Sequence, residues 1–393
     1  MTRGAWATRG YVQMKILVAH NTYRERGGED AVVDAEVALL RAFGHEVIEY
    51  RRDNAAIAAA SRLDLVRQTL WSHAAATEIG ELIRRAGPHV IHCHNTFPLL
   101  SPAIYWAAAK AGIPVVQTLH NFRLLCAQAM LLRDGKVCED CLGKLPWRAV
   151  ARKCYRDSAA QSAVLVGMLG LHRAIGSYRD KVTRYIALSQ FSRRKLIEGG
   201  LPAQKIVVKP NFVAAAPVHH GQRNGALFVG RLSPEKGLTV LRAALETLPD
   251  VTVTVIGNGP LRSMLESNAQ FQLLGQCSQE AVQKRMCEAD FLVMPSICYE
   301  QFPRTLVEAF GCALPVIASR LGPLAELIEH GRTGLLFEPG SARDLAQTIR
   351  FAMSNPSLMR NLGQAARAEY EAKYTPQRNH QQLMEVYSQV IAH

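Results

Sequence analysis

The sequence predicts an α/β protein with two doubly wound Rossmann-like domains in tandem. The chain has 393 residues, more than one ordinary hydrophobic core accommodates. Short β-rich runs alternate with amphipathic helical stretches, and this alternation starts afresh after a small, polar, unpatterned segment at residues 211–225. Strands that alternate with helices indicate βαβ units and a parallel sheet. Ligands of such sheets bind at the carboxyl ends of the strands.

The predicted elements follow this alternation along both halves. In the first half, buried parallel strands are expected at residues 16–19, 89–93, 115–119 and 185–189, with helices at 30–42 and 101–111. In the second half, strands are expected at 226–229, 251–256, 271–274, 291–294 and 315–318, with helices at 237–247 and 341–354.

These elements set the expected domain boundaries. Residues 1–13 are an extension that precedes the first strand, and residues 14–210 form the N-terminal domain, with a Cys-containing insertion at 126–154. Residues 211–225 are the linker and residues 226–375 the C-terminal domain. Residues 376–393 form a terminal amphipathic helix that could pack back on the N-terminal domain.

The charge is unevenly distributed. Residues 1–210 carry 30 Lys and Arg against 17 Asp and Glu, whereas residues 211–393 carry 16 of each. The excess suggests an anionic partner for the first half: a nucleic acid, a membrane surface or a phosphorylated lipid. No apolar run reaches the roughly 20 residues of a membrane span, and no secretory signal is visible, so a cytoplasmic location is expected.

Two loops of the second half carry candidate phosphate ligands. Gly-Arg-Leu-Ser-Pro-Glu-Lys-Gly at residues 230–237 follows a strand, and Arg231 and Lys236 suit a diphosphate there. The alternative is a surface turn with two solvated charges. Gly257 belongs to a Gly-Asn-Gly sequence after the next strand, and such sequences are mostly tight turns.

Glu300 and Glu308 are eight positions apart in Cys-Tyr-Glu-Gln-Phe-Pro-Arg-Thr-Leu-Val-Glu. A loop at residues 301–305 and a helix from 306 would place the backbone N–H groups near Arg304, Thr305 and Leu306 at a helix N-terminus, which suits a phosphate. Glu308 can then accept hydrogen bonds from ribose, and Glu300 from a sugar. The alternative is that Glu308 only favours the helix dipole and Glu300 is solvated.

In this order and spacing, the motifs resemble the family 4 retaining glycosyltransferases of the GT-B fold, including bacterial exopolysaccharide and lipopolysaccharide enzymes. The resemblance covers nearly the whole chain from Met14 onward. The matching stretches are Gly27-Gly28, Thr118-Leu-His-Asn, Ala187-Leu-Ser-Gln-Phe-Ser, Lys209-Pro-Asn, Phe228-Val-Gly-Arg-Leu-Ser-Pro-Glu-Lys-Gly, Gly257-Asn-Gly-Pro, and Pro295-Ser with the segment from Glu300 to Ala318.

The resemblance implies a role for each site residue, in a cleft between the two domains. Arg231 and Lys236 would bind the diphosphate and stabilise its growing charge, Glu308 would hold the ribose, and Glu300 and His120 would meet the donor sugar. The implied catalytic residues are His120, Arg231, Lys236 and Glu300. The implied donor-binding residues are Gly28, Gly230, Arg231, Lys236, Gly257, Gly275, Thr305, Leu306 and Glu308, with Gly275 near the nucleobase.

The implied reaction is the transfer of a hexose, with retention, from a GDP- or UDP-hexose to a saccharide or polyprenyl-diphosphate-linked acceptor in cell-surface polysaccharide synthesis. No Asp-x-Asp triplet is present, which agrees with metal-independent chemistry. Pro303-Arg304 departs from the glycine that many members have, so the contacts to the sugar can differ. A nucleotide-sugar epimerase or a glycan phosphorylase of the same fold is the alternative. A nucleic-acid-binding protein is a distant one, because no motif for it appears.

Four cysteines, Cys126, Cys138, Cys141 and Cys154, suggest a structural zinc site around a central Cys-x-x-Cys. The alternative is a group of reduced thiols.

A basic segment around Trp147 and Tyr155 precedes an apolar run at residues 163–171. It suits an anionic membrane surface and predicts peripheral contact with the inner face of the plasma membrane. The alternative is a solvated basic face on a core helix. The basic residues are Lys144, Arg148, Arg152, Lys153 and Arg156.

Overall fold

The computed structural model describes residues 13–25, 27–214, 221 and 223–392. Residues 1–12 of the predicted extension, and residues 215–220 and 222 of the predicted linker, lie outside this description. The chain divides into two units. Unit 1 contains the described residues up to Ala129, Asp140–Lys209 and those from His380 onward, and unit 2 contains Met130–Glu139 and Pro210–Asn379.

The strands in chain order are β1 Lys15–Thr22, β2 Glu46–Asp53, β3 Val90–Cys93, β4 Val115–Thr118, β5 Leu132–Arg133, β6 Lys136–Val137, β7 Arg184–Ala187, β8 Ile206–Val208, β9 Ala226–Val229, β10 Val253–Ile256, β11 Phe271–Gly275, β12 Phe291–Met294, β13 Val316–Ser319 and β14 Gly334–Phe337.

The α-helices are α1 Gly28–Ala42, α2 Arg62–Leu70, α3 His73–Ala86, α4 Ala103–Lys110, α5 Arg148–Ala151, α6 Ala159–Ala174, α7 Ser177–Asp180, α8 Gln190–Glu198, α9 Leu238–Leu245, α10 Arg262–Glu266, α11 Gln279–Glu288, α12 Arg304–Gly311, α13 Pro323–Leu327, α14 Ala342–Ser354, α15 Pro356–Lys373 and α16 Pro376–Ile391. Short 3₁₀ helices lie at Asn54–Ala59, Ala203–Lys205 and Pro234–Lys236.

Each unit contains a six-stranded parallel sheet, so the predicted fold class is confirmed. The order is β2-β1-β3-β4-β7-β8 in unit 1 and β11-β10-β9-β12-β13-β14 in unit 2. The central strands are fully buried, as their continuous apolar sequences predict. In unit 2, α9 and α14 cover one face of the sheet with buried side chains such as Leu241 and Ile349.

Each sheet has a point at which the strand order reverses. In unit 2, the chain runs from β9 outward to β11 and returns to β12, which lies on the other side of β9. In unit 1, the corresponding reversal lies between β1 and β3. Loops that leave these neighbouring strands diverge and open a crevice at the carboxyl edge of the sheet, where ligands bind.

Three strands of the two large sheets and the start of α12 differ from the prediction. β2, β8 and β14 were not predicted, and β2 is an edge strand whose sequence Glu-Val-Ile-Glu-Tyr-Arg-Arg-Asp is rich in charge. Helix α12 begins at Arg304 rather than at residue 306, directly after Pro303. The predicted insertion at 126–154 contains the antiparallel hairpin β5–β6 and helix α5.

Among the described residues, no helix is both long enough and apolar enough to cross a membrane.

Candidate active site

Lys236 and Glu300 meet at the point where the strand order of unit 2 reverses. Lys236 ends the short helix after β9, Glu300 lies in the loop after β12, and Lys236 Nζ is 2.6 Å from Glu300 Oε1. Ser296 Oγ donates to the same carboxylate oxygen at 2.7 Å. The sequence places these groups 64 positions apart, and the pairing of β9 with β12 brings them together.

The ion pair keeps both groups charged. Burial by itself would raise the pKa of Glu300, but the Lys236 ammonium and the Ser296 hydroxyl outweigh it and lower that pKa. Burial would likewise lower the pKa of Lys236, and the Glu300 carboxylate reverses this and raises it. The site therefore presents an ammonium group that is oriented by a carboxylate and a hydroxyl, which suits a phosphate ligand.

A second ion pair lies on α12. Arg304 Nε is 2.9 Å from Glu308 Oε1, one helical turn away, and both side chains are largely buried. Burial raises the pKa of Glu308, although the Arg304 guanidinium opposes this. The sequence analysis noted Arg304 only as a departure from the family pattern. Its ion pair with Glu308, the residue expected to bind the ribose, was not predicted.

The other residues expected to bind the donor nucleotide sugar differ in their exposure. Arg231 is exposed, and Thr305 is partly buried in the first turn of α12. The Leu306 N–H donates to the Pro303 carbonyl at 3.0 Å, and the Leu306 side chain is buried in the core. A phosphate at Leu306 would therefore compete with a bond that the helix itself makes.

Two glycines allow close packing between the loops that follow β9, β10 and β12. A Cβ at Gly257, whose φ is +139°, would lie 1.9 Å from the Gly230 carbonyl oxygen, and one at Gly237, with φ +71°, would lie 1.8 Å from that of Pro295. The Gly230 N–H also donates to Ile256 O at 3.0 Å. Gly257 thus holds the Arg231 loop against the next loop, which is a structural reason for this glycine. Gly275 closes the end of β11 and accepts from the Gly257 N–H at 2.8 Å.

In unit 1, Asp30 organises the loop between β1 and α1. Its carboxylate is 2.8 Å from His20 Nε2 and accepts from the backbone N–H groups of Tyr23 at 3.2 Å and Gly27 at 2.9 Å. A Cβ at Gly28 would meet no atom within 4 Å. The protein itself therefore leaves space at Gly28, as the predicted approach of a diphosphate requires.

His120 belongs to a cluster of polar side chains at the carboxyl edge of the unit 1 sheet. It follows β4 and lies beside His94, which follows the neighbouring strand β3, with His120 Nε2 2.9 Å from His94 Nδ1. His94 Nε2 lies 3.3 Å from Glu36 Oε1, and Lys209 Nζ lies 3.1 Å from Glu36 Oε2. Sequence reasoning singled out His120 alone. The His-Cys-His sequence at residues 92–94 was the available signal for the others.

The cluster is charged at Glu36 and neutral at two of its histidines. Burial would raise the pKa of Glu36, but Lys209 and His92 hold it well below the usual range. Burial lowers the pKa of His94 to about 3. Burial and the neighbouring His94 also hold the pKa of His120 well below its usual value, although the residue as a whole is partly exposed. His120 is therefore a neutral hydrogen-bonding group at neutral pH.

The four cysteines of the predicted zinc site are partly exposed thiols, and none of them is in a disulfide. The zinc assignment stays a prediction.

The apolar run at residues 163–171 lies on α6, and its larger side chains are mostly buried. Most apolar side chains of α6, Leu165 and Leu169 among them, are buried in unit 1, so they are core residues as the alternative expected. Trp147 is 60% exposed and Leu145 52% exposed. On α6, Leu171 is 40% exposed. Trp147 and Leu145 are thus the most exposed large apolar side chains of this region among the described residues.

Two family models match the chain. The model described as glycosyl transferases group 1 matches residues 214–369, and the model described as glycosyltransferase family 4 matches residues 26–216. An uncharacterized glycosyltransferase of Methanocaldococcus jannaschii is 30% identical over 322 residues, which cover 80% of each chain. The amylovoran biosynthesis glycosyltransferase AmsK of Erwinia amylovora is 30% identical over 225 residues, 51% of this chain and 55% of that protein.

Solved structures share the fold. HepE of Anabaena in complex with UDP has a TM-score of 0.67 and 19% identity, over 96% of this chain and all of that one. Sucrose-phosphate synthase of Thermosynechococcus elongatus has a TM-score of 0.72 and 18% identity, over 97% of this chain and all of that one. At these identities, the likeness shows the fold alone.

Proposed function

The chain belongs to the family 4, group 1 glycosyltransferases, and from this premise we propose that it moves a hexose from a nucleotide diphosphate sugar to a saccharide or lipid-linked saccharide acceptor, with retention at the anomeric carbon. One observation supports the donor site above the others. An ammonium group fixed by a carboxylate lies at the carboxyl edge of the unit 2 sheet, at the reversal of its strand order.

In this proposal, Lys236 and the exposed Arg231 bind the diphosphate. Negative charge grows on the leaving diphosphate as the glycosidic bond breaks, and fixed cations stabilise that charge without reorganising. These cations take the place of a divalent metal ion, so the transfer is metal-independent. Glu300, held by Lys236 and Ser296, keeps an oxygen for the hydroxyls of the hexose.

Glu308 accepts hydrogen bonds from the ribose, and Arg304 orients its carboxylate. Burial favours the protonated form of Glu308, so the Arg304 guanidinium is needed to keep this side chain an acceptor. The nucleotide is uridine or guanosine diphosphate. HepE, which shares the fold, has been solved with UDP-glucose, and this favours testing uridine donors first.

The acceptor belongs to cell-surface polysaccharide synthesis. AmsK, a relative, is named for amylovoran biosynthesis. A polyprenyl-diphosphate-linked acceptor is anionic and sits in a membrane, and it would explain why the basic excess lies in residues 1–210. The chain then works as a peripheral protein on the inner face of the plasma membrane.

A structural zinc held by Cys126, Cys138, Cys141 and Cys154 is part of the proposal. Four thiolates would close the coordination shell, so the ion would stabilise the 126–154 segment and leave the chemistry to other residues. Elemental analysis of the purified chain should give one zinc per molecule. Absence of zinc, with all four thiols titratable, would refute this.

The function is tested by transfer from nucleotide sugars to a saccharide acceptor. Lys236→Ala and Glu308→Ala should each reduce the rate at least about 100-fold, since a preorganised charge contact contributes roughly this much. Lys284→Ala removes an exposed lysine of the same unit and is the matched control. NMR of the product should show the anomeric configuration of the donor. Near-normal turnover in both site variants, an inverted product, or an epimer formed from the donor alone would contradict the proposal.

A further inference from the structure

Glu36, His94 and His120 form a chain of contacts at the carboxyl edge of the unit 1 sheet. Glu36 lies on α1, and its Oε1 is 3.3 Å from His94 Nε2. The other ring nitrogen of His94, Nδ1, is 2.9 Å from His120 Nε2. Glu36 and His94 are buried, at 3% and 4% exposure, whereas His120 is partly exposed. The chain of contacts therefore runs from the core to a partly exposed residue.

The protons of this chain follow from its charges. Lys209 holds Glu36 ionised, and an ionised carboxylate can only accept hydrogen bonds. His94 is neutral and has one N–H. Its Nε2 lies 3.3 Å from the carboxylate in an electrostatic contact, without the geometry of a hydrogen bond. A lone pair on Nε2 would be repelled by the ionised carboxylate, so the proton is favoured on Nε2. His94 Nδ1 then has only a lone pair, so His120 donates its Nε2–H to it. In a neutral His120, this leaves Nδ1 without a proton.

A bound metal ion accounts for the cluster less well than the chain of contacts from Glu36 to His120 does. Glu36, His92 and His94 bring ligand atoms within 4.8 Å of one another. The nitrogens of His92, however, already lie 2.7 Å from Tyr387 OH and 2.8 Å from Thr118 Oγ1. The Lys209 ammonium already balances the carboxylate, and it would repel a second cation.

We propose that Glu36 and His94 are positioning residues that fix His120 in the tautomer with its proton on Nε2, so that Nδ1 accepts a hydrogen bond from a substrate hydroxyl. The identity of that hydroxyl, on the hexose or on the acceptor, rests on the proposed function. The tautomer does not, because contacts within unit 1 alone determine it. An acceptor at this position distinguishes a hydroxyl from a group that only accepts, such as an ether or a carbonyl oxygen.

The tautomer is measured by NMR of the full chain labelled with ¹⁵N at histidine, with the His120 signal assigned by its loss in His120→Gln. The wild type should show Nε2 protonated and Nδ1 unprotonated. His94→Gln preserves a donor toward Glu36 and an acceptor toward His120, and it should keep this pattern. His94→Leu removes both and should give a mixture of tautomers. His89→Gln, at the exposed residue that directly precedes β3, is the control and should leave the His120 signal unchanged.

Transfer assays supply the second readout. His94→Leu should lower kcat about 10- to 100-fold with little change in KM for the donor, the range in which loss of an orienting partner acts, and His94→Gln should restore most of the rate. A wild-type His120 protonated on Nδ1, or a His94→Leu variant with an unchanged tautomer, would overturn the inference. If His94→Leu does not fold, the protonated nitrogen of His120 in the wild-type spectrum still tests the inference. If no nucleotide sugar supports transfer, the proposed function fails while the tautomer still tests this inference.

Discussion

Four charged side chains of the unit 2 site form pairs that their positions in the chain do not reveal. The sequence analysis gave Lys236 and Glu300 separate ligands, and the structure pairs them with each other. It gave Arg304 no role, and the structure pairs this residue with Glu308. Residue types and spacing singled out Lys236, Glu300 and Glu308, and their donor-binding roles stay predictions. The pairing of the groups depends on which strands are neighbours and on side-chain rotamers, which a single sequence does not contain.

His94 predicts a pH dependence of stability. Its pKa is about 3 in the folded chain, against about 6.5 when unfolded, so the unfolded state takes up a proton first as the pH falls below about 6.5. The contribution of the neutral His94 to the free energy of unfolding is therefore fully present above about pH 6.5 and is lost as the pH falls. The single histidine should cost about 2 kcal/mol at pH 5, because 1.5 pKa units correspond to about that free energy.

Urea unfolding followed by the fluorescence of Trp71 and Trp106, both in unit 1, measures this loss. Between pH 7 and pH 5, His94→Gln should lose about 2 kcal/mol less free energy of unfolding than the wild type does. His89→Gln, an exposed histidine, should follow the wild-type curve. Equal losses in wild type and His94→Gln would show that His94 takes up a proton without unfolding.

At the scale of elements, the loops after the strands form the candidate site. Two glycines in these loops have different surroundings. Gly257 lies where a side chain would collide with the next loop, whereas Gly28 lies at the start of α1 beside open space. Sequence analysis treated both as donor-binding positions. The structure shows that packing requires Gly257, whereas the donor contact of Gly28 stays a prediction.

These two glycines give a matched prediction. Gly28→Ala should change the free energy of unfolding by less than about 0.5 kcal/mol, as a substitution into open space does, yet raise the KM for the nucleotide sugar. Gly257→Ala should destabilise the fold by about 1–3 kcal/mol, because its backbone conformation and its 1.9 Å approach both exclude a side chain. Thermal unfolding and donor kinetics of the two variants test this. A destabilised Gly28→Ala, or an unchanged KM in it, would contradict the account.

Most elements were predictable because buried parallel strands have continuous apolar sequences. The strands that were missed have physical reasons. β2, β8 and β14 are all edge strands. The charges of β2 obscure its pattern, and β8 has only three residues. β14 is a short buried Gly-Leu-Leu-Phe run that the sequence analysis did not single out. The start of α12 was placed two residues late because Arg304 and Thr305 follow a proline. Proline readily precedes a helix, but the predicted loop extended through it.

At the scale of the whole molecule, the charge asymmetry is the feature that the donor site does not explain. The basic excess lies in residues 1–210, and the exposed Trp147 and Leu145 lie next to Arg148 in that half. The apolar run at residues 163–171 had suggested a membrane-facing helix, but its larger side chains are mostly core. The proposed membrane contact therefore rests on the basic residues and on the exposed side chains of Trp147, Leu145 and Leu171.

Replacing Arg148, Arg152 and Lys153 together by Ala should weaken binding to vesicles rich in anionic phospholipid about 100-fold, since each basic residue contributes roughly 1 kcal/mol at such a surface. Vesicle co-sedimentation at low and physiological salt measures the effect. The matched control replaces Lys284, Arg285 and Arg360 of unit 2 by Ala and should bind as the wild type does. Equal binding by both triple variants would remove the membrane role of this segment.

The central claim is that unit 2 holds the nucleotide diphosphate sugar through Lys236. Thermal unfolding of the purified chain with each of a set of UDP- and GDP-hexoses tests it most directly. One donor at about 100 times its Kd should stabilise the fold by about 2.7 kcal/mol and raise Tm by several degrees, and Lys236→Ala should abolish this shift. If no nucleotide sugar raises Tm, or if Lys236→Ala responds as the wild type does, the claim is contradicted.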